Sequence, residues 1–342
     1  MALTLYVDEV RWRTNQAAAV QRFPGLMPVV CGNGFGFGLE WLAEEARRLD
    51  ADGVAVGTVY EAVRMKDLFS GSVLVLTPFR QGEKGPPLPL RVIRTVSSVE
   101  GLRSLPGMRV VVQVRAHARM GGVRADDLHA VRSHLSEVRF EGFALHVPET
   151  RRAGYNAVEE VSAWMGLLRQ AGLPLHTFYV SHLTAEEFDF VCRDHPRTRF
   201  RACTGRRLWL GDPGAIEYRS EVLQVARAAR GDRFGLRQLR VPVDGCLVMV
   251  AGGTAHGVGL EPLRAMEGVA RVKGVAHMGL SVVNQFLSPF VWGGQRCWFA
   301  EPPDQLASVL FLPAEVPVPG MGTELTARLA ATLTRADRVV LR

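Results

Sequence analysis

Cys31 stands where reactive chemistry is easiest to place in this sequence. It closes the apolar run Pro28–Val29–Val30 and is followed by glycines at 32, 34, 36 and 38. A thiol can serve as nucleophile or soft metal ligand, and glycines allow positive φ and close approach of a ligand to the backbone. Other polar groups recur where apolar runs stop: Thr58, Ser97, Arg115, His146, Ser181 with His182, and Cys203 with Gly205. Gathered at one mouth, they would line a polar, partly cationic pocket suited to an anionic or zwitterionic small molecule. Arg206 and Arg207 follow the last of them and could hold a phosphate or carboxylate, or be solvated surface. The glycine spacing is not that of a dinucleotide fingerprint, because position 37 is Phe, and no Gly-Lys-Ser/Thr follows to make a P-loop.

Elements that could position these groups alternate along the chain. Leu3–Val7 reads as a strand and Glu9–Arg22 as a helix. From Leu26 eight strand-like runs follow: Leu26–Cys31, Gly53–Gly57, Ser72–Leu76, Arg91–Val96, Arg109–Val114, Glu141–Val147, His176–Ser181 and Arg199–Thr204. Nearly all lead into a helix or a helix-sized connection, and Thr184 with Glu187 predicts a capping box. Such alternation implies parallel strands with right-handed crossovers. Eight units in fewer than 200 residues favour a closed (β/α)8 barrel over an open doubly wound sheet. After Gly211–Asp212–Pro213–Gly214 short β runs dominate: Glu221–Ala226, Arg240–Pro242, Cys246–Ala251, Arg271–Val275, Cys297–Phe299, Ser308–Leu312 and Arg338–Leu341. Glu324–Leu333 could be helix or strand. The expected organisation is α/β, with a barrel over 1–214 and a C-terminal β domain over 215–342. The first strand is free to join the β domain.

A barrel makes its first and eighth strands neighbours. Cys31 and Cys203 would then share the pocket floor, as a redox pair, as two ligands to a metal with His146 or His256, or simply as small buried apolar groups.

Composition bounds the partners. The chain has 342 residues, 47% hydrophobic and 22% charged, enough for two cores. The net charge of +7 comes almost wholly from scattered arginines, with lysine only at 66, 84 and 273. That pattern does not predict a nucleic-acid partner. No signal-like start and no run of about 18 apolar residues is visible, so no membrane partner is expected. Five widely spaced cysteines, an odd number, fit a cytoplasmic chain with reduced thiols.

The stretch Val29-Val30-Cys31-Gly32-Asn33-Gly34-Phe35-Gly36-Phe37-Gly38 resembles the signature of alanine racemases, Val-Val-Lys-Ala-Asn-Ala-Tyr-Gly-His-Gly. The run Asp50–Ala62 is similar to that family's second strand and helix. The resemblance implies the fold type III pyridoxal-phosphate architecture, a barrel followed by a β domain. It also implies a link to amino-acid metabolism and a head-to-tail homodimer in which one subunit's β domain closes the other's site. It places Cys31 at the Schiff-base lysine and Phe35 at the Tyr that touches the cofactor phosphate, with Asn33 and Gly36 retained. Cys203 falls where an Arg meets the pyridine nitrogen, and Gly205 keeps the phosphate-facing glycine. The fifth-strand lysine lands near Gln113 and the substrate-binding Arg near Arg119 or Met120, beside Arg115. His146 matches the sixth-strand His and Ser181 the seventh-strand Ser. The tyrosine that acts as second base falls on Thr254 of Thr254–Ala255–His256–Gly257.

A Schiff base needs a primary amine, which cysteine lacks. The expectation is an alanine-racemase-like protein with an eroded pyridoxal-phosphate site, binding a small molecule such as an amino acid or a phosphate compound. Two alternatives stay open. One is an active pyridoxal-phosphate racemase or isomerase that uses Lys84 or holds the cofactor without a covalent anchor. The other is a thiol-dependent enzyme using Cys31.

Overall fold

Short runs buried on both faces become parallel strands wrapped by helices. All four residues of the run Gly53–Val56 are buried, as are all five of Val92–Val96. The computed structural model describes residues 2–117, 121–260 and 286–342. The chain divides into two compact units. One comprises Arg13–Gly34 and Leu39–Gly211, the other Met1–Trp12, Phe35–Gly38 and Asp212–Arg342.

The first unit carries eight parallel strands. The chain opens on β1 (Leu3–Val7), which belongs to the other unit, and continues into α1 (Glu9–Arg22). The barrel strands are β2 (Met27–Pro28), β3 (Gly53–Val56), β4 (Ser72–Val75), β5 (Val92–Val96), β6 (Arg109–Gln113), β7 (Arg139–His146), β8 (Thr177–Ser181) and β9 (Arg199–Thr204). They pair in the order β2-β9-β8-β7-β6-β5-β4-β3. A parallel bridge between Val29 and Ala55 joins the two ends and closes the barrel. Between the strands run α2 (Leu39–Arg48), α3 (Val59–Arg64), α4 (Val99–Arg103), α5 (Leu128–His134), α6 (Ala157–Gln170) and α7 (Ala185–Asp194), with α8 (Arg206–Trp209) after β9. The capping box at Thr184 and Glu187 is present, and a second one, Thr58 with Glu61, opens α3.

One residue from each strand fills the barrel centre: Met27, Ala55, Leu74, Ile93, Val111, Ala144, Tyr179 and Cys203. Below them Arg201 bonds Asp52 and the Gly25 carbonyl, and Arg109 pairs Glu141 at 2.6 Å. These ion pairs lie at strand starts, where conservation of shape rather than chemistry is the rule in barrels.

The second unit is an antiparallel sheet with one parallel edge. It contains β10 (Ile216–Ala228), β13 (Gly245–Ala251), β14 (Leu287–Trp292), β15 (Gln295–Phe299), β16 (Ala307–Pro313), β17 (Glu324–Ala327) and β18 (Arg338–Leu341). A hairpin of β11 (Arg233–Phe234) and β12 (Leu239–Arg240) stands beside it. β1 pairs antiparallel with β10 and parallel with β18.

One expectation changes and one open alternative is resolved. The run Leu26–Cys31 is paired only at Met27–Pro28 and bridged at Val29, so Cys31 lies beyond the strand. The segment Glu324–Leu333 is a strand only to Ala327. Leu287–Trp292 adds a strand that the sequence pattern did not mark. The strand expected at Arg271–Val275 lies outside the described residues.

Candidate functional site

Strand ends on one side of the barrel carry the polar groups. Cys31 is half-buried on the turn after β2. Burial, and then the nearby Glu61 carboxylate, push its thiol above the ordinary cysteine range. Glu61 organises this corner. Its carboxylate accepts the Gly32 amide at 2.9 Å, the Gly57 amide at 2.6 Å and the Thr58 amide at 3.3 Å. A thiolate beside that anion is disfavoured, so Cys31 rests as a thiol. Sequence reading missed Glu61. Its signal was the Thr58-x-x-Glu61 capping pattern.

On the far side of the barrel, β7 and β8 pair His146 with Ser181 across the ladder. The His146 Nδ1 and Ser181 Oγ lie 3.0 Å apart. Burial, reinforced by His182, lowers the His146 pKa to about 4, so its ring is neutral at physiological pH. Next along the chain, His182 takes a left-handed φ of 61°. Its carbonyl accepts from Arg151 at 2.7 Å, and Arg151 makes a two-pronged ion pair with Glu187.

After β9 the chain turns through Thr204 and Gly205 into α8. Arg207 donates to the Leu183 carbonyl at 2.7 Å and lies over the Phe23 ring. The Arg206 side chain is exposed, and among the described residues no carboxylate pairs with it. Ser181, His182, Thr204, Gly205, Arg206 and Arg207 line one cleft of about 320 Å³, with Glu149 at its rim. Two hydroxyls, two guanidiniums and a glycine that keeps the backbone uncovered can hold an anion.

Cys203 does not join Cys31. Strand register sets Cys203 beside Met27, four residues before Cys31, and its side chain belongs to the central core layer. Burial raises its pKa to about 12. A shared floor is therefore ruled out by register, and with it the redox pair. Among the described residues no three His, Cys, Asp or Glu side chains are grouped as a metal would need. Cys203 is a core residue.

Arg115 is exposed after β6 and lines a different, wider cleft of about 1220 Å³ with His117, Arg124, Tyr155 and Glu160. Arg119 lies outside the described residues. Gln113 is buried at the end of β6, its carbonyl accepting the Val123 amide.

In the β unit, Thr254 and His256 form a short turn after β13. Thr254 is exposed, and its amide donates to the Asp304 carbonyl at 2.8 Å. His256 is buried. Its Nδ1 accepts the Gly253 amide at 3.2 Å, leaving Nε2 to donate to Asp337 at 3.1 Å. Asp337 in turn takes the Leu3 amide at 2.8 Å. His256 thus ties the turn to the sheet. Phe35 sits at a left-handed φ of 54°, and Gly36 follows at 94°. A side chain on Gly36 would collide with the Tyr218 hydroxyl, a buried group without a hydrogen-bond partner. Asn33 is half-buried on the same turn.

Residues 7–188 match the family described as alanine racemase, N-terminal domain. Among curated proteins no relative is found by sequence. Solved alanine racemases share the fold. That of Clostridium difficile 630 is 13% identical, covering 100% of this chain and 96% of its own at a TM-score of 0.69. That of Bartonella henselae, with covalently bound pyridoxal phosphate, is 12% identical over 100% of both chains at 0.68. That of E. faecalis is 20% identical over 99% and 98% at 0.62. No helix among the described residues is long and apolar enough to cross a membrane. The matched span covers more than half of the sequence, and the barrel and β units run through the whole of it: the chain belongs to the alanine racemase family.

Proposed function

We propose that this chain is a small-molecule-binding member of the family that does not hold pyridoxal phosphate as a Schiff base and does not racemise by the two-base route. One observation carries the reading. The group at the turn after β2 is a thiol held protonated beside Glu61, where an imine would require an amine. Thr254, aligned with the second base, offers a hydroxyl engaged near the Asp304 carbonyl rather than a phenol.

The donor set at this turn, a thiol beside a carboxylate, does not fit a covalently anchored cofactor. Lys84 does not repair it. Its neighbour Glu83 bonds Arg94 at 2.9 Å. Arg94 follows Ile93, which fills the barrel centre, so Arg94 points to the outside of the strand and draws that loop with it. Lys66 is likewise exposed, after α3. The raised thiol pKa of Cys31 also weighs against thiol catalysis.

What remains is recognition. Ser181, Thr204, Gly205 and Arg206 are suited to a phosphate or carboxylate, with neutral His146 behind Ser181 to orient its hydroxyl. Titration calorimetry with inorganic phosphate and with pyridoxal phosphate tests this. Binding of one or both, weakened about tenfold or more in Arg206→Ala, is the expected result, since a charge-assisted bond is worth roughly 1.5–3 kcal/mol. Undiminished binding in that variant, or none in the parent, removes the anion site. We further propose a cytoplasmic, head-to-tail homodimer, as the family resemblance implies.

A further inference from the structure

The β unit contains a cleft that neither the family resemblance nor the proposed anion site accounts for. Val222, Val248, Val250 and Leu310 are buried on one face of the β10–β13–β16 sheet. Alternation turns Leu247, Met249 and Val309 to the opposite face. A one-sided antiparallel sheet ordinarily presents polar residues there. Here these three side chains and Phe234 of the hairpin wall a cleft of about 360 Å³.

Two charged side chains line that cleft, Glu301 and Asp304. Asp304 is exposed. The Glu301 side chain is only 10% exposed, and its Oε2 is buried without a hydrogen-bond partner. Arg237 forms an ion pair with that oxygen at 3.7 Å, longer than a hydrogen bond, and donates instead to the Pro302 carbonyl at 3.3 Å. A carboxylate withdrawn from water, with one oxygen held by this long ion pair alone and making no hydrogen bond, gains from a closer cationic donor. The apolar floor beside it asks for hydrocarbon, and the volume is within the usual range for small-ligand sites.

We propose that this cleft binds a small apolar monoamine, an alkyl or arylalkyl ammonium. Its head meets the Glu301 carboxylate and its hydrocarbon lies on Leu247, Met249 and Val309. The site is assembled wholly from the β unit. It does not depend on how the barrel residues are used.

Calorimetry of the whole protein with phenethylammonium tests the assignment, with 2-phenylethanol and hydrocinnamate as controls of matched shape. The amine binds, the alcohol binds at least about tenfold more weakly, and the carboxylate does not bind. Glu301→Gln lowers amine affinity about tenfold without changing that of the alcohol. Ala226→Phe, at an exposed position lining the cleft, abolishes amine binding by filling it. Both variants keep the parental circular dichroism and melting temperature within a few degrees. Equal affinity for amine and alcohol overturns the proposal. So does amine binding unaffected by either variant, and so does no binding of the amine.

Discussion

Glu61 holds the turn that carries Cys31. One carboxylate oxygen takes the Gly32 amide at 2.9 Å and the other the Gly57 amide at 2.6 Å, so a single side chain fastens the turns after two adjacent barrel strands. It caps α3 at the same time. Glu61→Ala is expected to cost about 1–3 kcal/mol, because it removes three side-chain bonds to backbone amides, one of them part-buried, and with them the cap. It also lowers the Cys31 pKa by removing a nearby anion. Chemical denaturation and the pH dependence of Cys31 alkylation measure the two effects separately. Loss of stability with an unchanged alkylation profile would contradict the electrostatic half.

His146 makes stability depend on pH. Its folded-state pKa of about 4 lies below the ordinary value of 6.5. Between those values the unfolded chain binds the extra proton and the folded chain does not. The contribution of this neutral, buried ring is thus intact above pH 6.5 and is lost as pH falls toward 4, reaching about 3 kcal/mol. His182 and His195 are shifted in the same direction by burial and add to the slope. Unfolding titrations at pH 4.5 and 7 should differ less in His146→Asn than in the parent. An equal pH dependence in both would contradict the assignment.

Cys31 and Cys203 should behave as strangers. Cys203 sits in the core layer with its pKa near 12 and is expected to resist alkylation until the barrel unfolds. Cys31 is half-buried and should react slowly in the native state, faster as pH rises. Mild oxidation should give no bond between them, as read by peptide mapping. An intramolecular Cys31–Cys203 disulfide in native protein would refute the register described above.

Gly36 and Tyr218 form a tight pair within the β unit. Gly36→Ala adds a methyl group against the Tyr218 hydroxyl at a φ of 94°. A loss of more than about 2 kcal/mol is expected. Tyr218→Phe removes a buried hydroxyl that has no partner, so it should be neutral or stabilising. It should also recover part of the Gly36→Ala loss. A strongly destabilised Tyr218→Phe protein would contradict this reading of the contact.

The sequence makes the barrel legible because helices and buried strands have different periods and caps leave marks. Thr184 and Glu187 announce α7, and Arg199–Thr204 is bounded as its apolar pattern indicates. Register is not written in the same way. The strand β2 is two residues long, and its pairing sets Cys203 opposite Met27 rather than Cys31. Nothing local to either cysteine carries that offset, because it is a property of how all eight strands tilt on closure. The role of His256 was obscured for a similar reason. Its partner Asp337 is 81 residues away and meets it only through the sheet. Glu61, by contrast, was readable as a cap but not as the neighbour of Cys31, which depends on β2 and β3 being joined at the barrel seam.

We propose that neither lysine of the described residues, Lys66 or Lys84, anchors a cofactor. The direct measurement is borohydride reduction after incubation with pyridoxal phosphate, followed by intact-mass and peptide analysis. No stoichiometric pyridoxyl group is expected on Lys66, Lys84 or Lys273 in the parent protein. Cys31→Lys, treated identically, should acquire one at position 31 if the remaining cup accepts the phosphate. A single lysine modified stoichiometrically in the parent, together with racemisation of alanine, would contradict it.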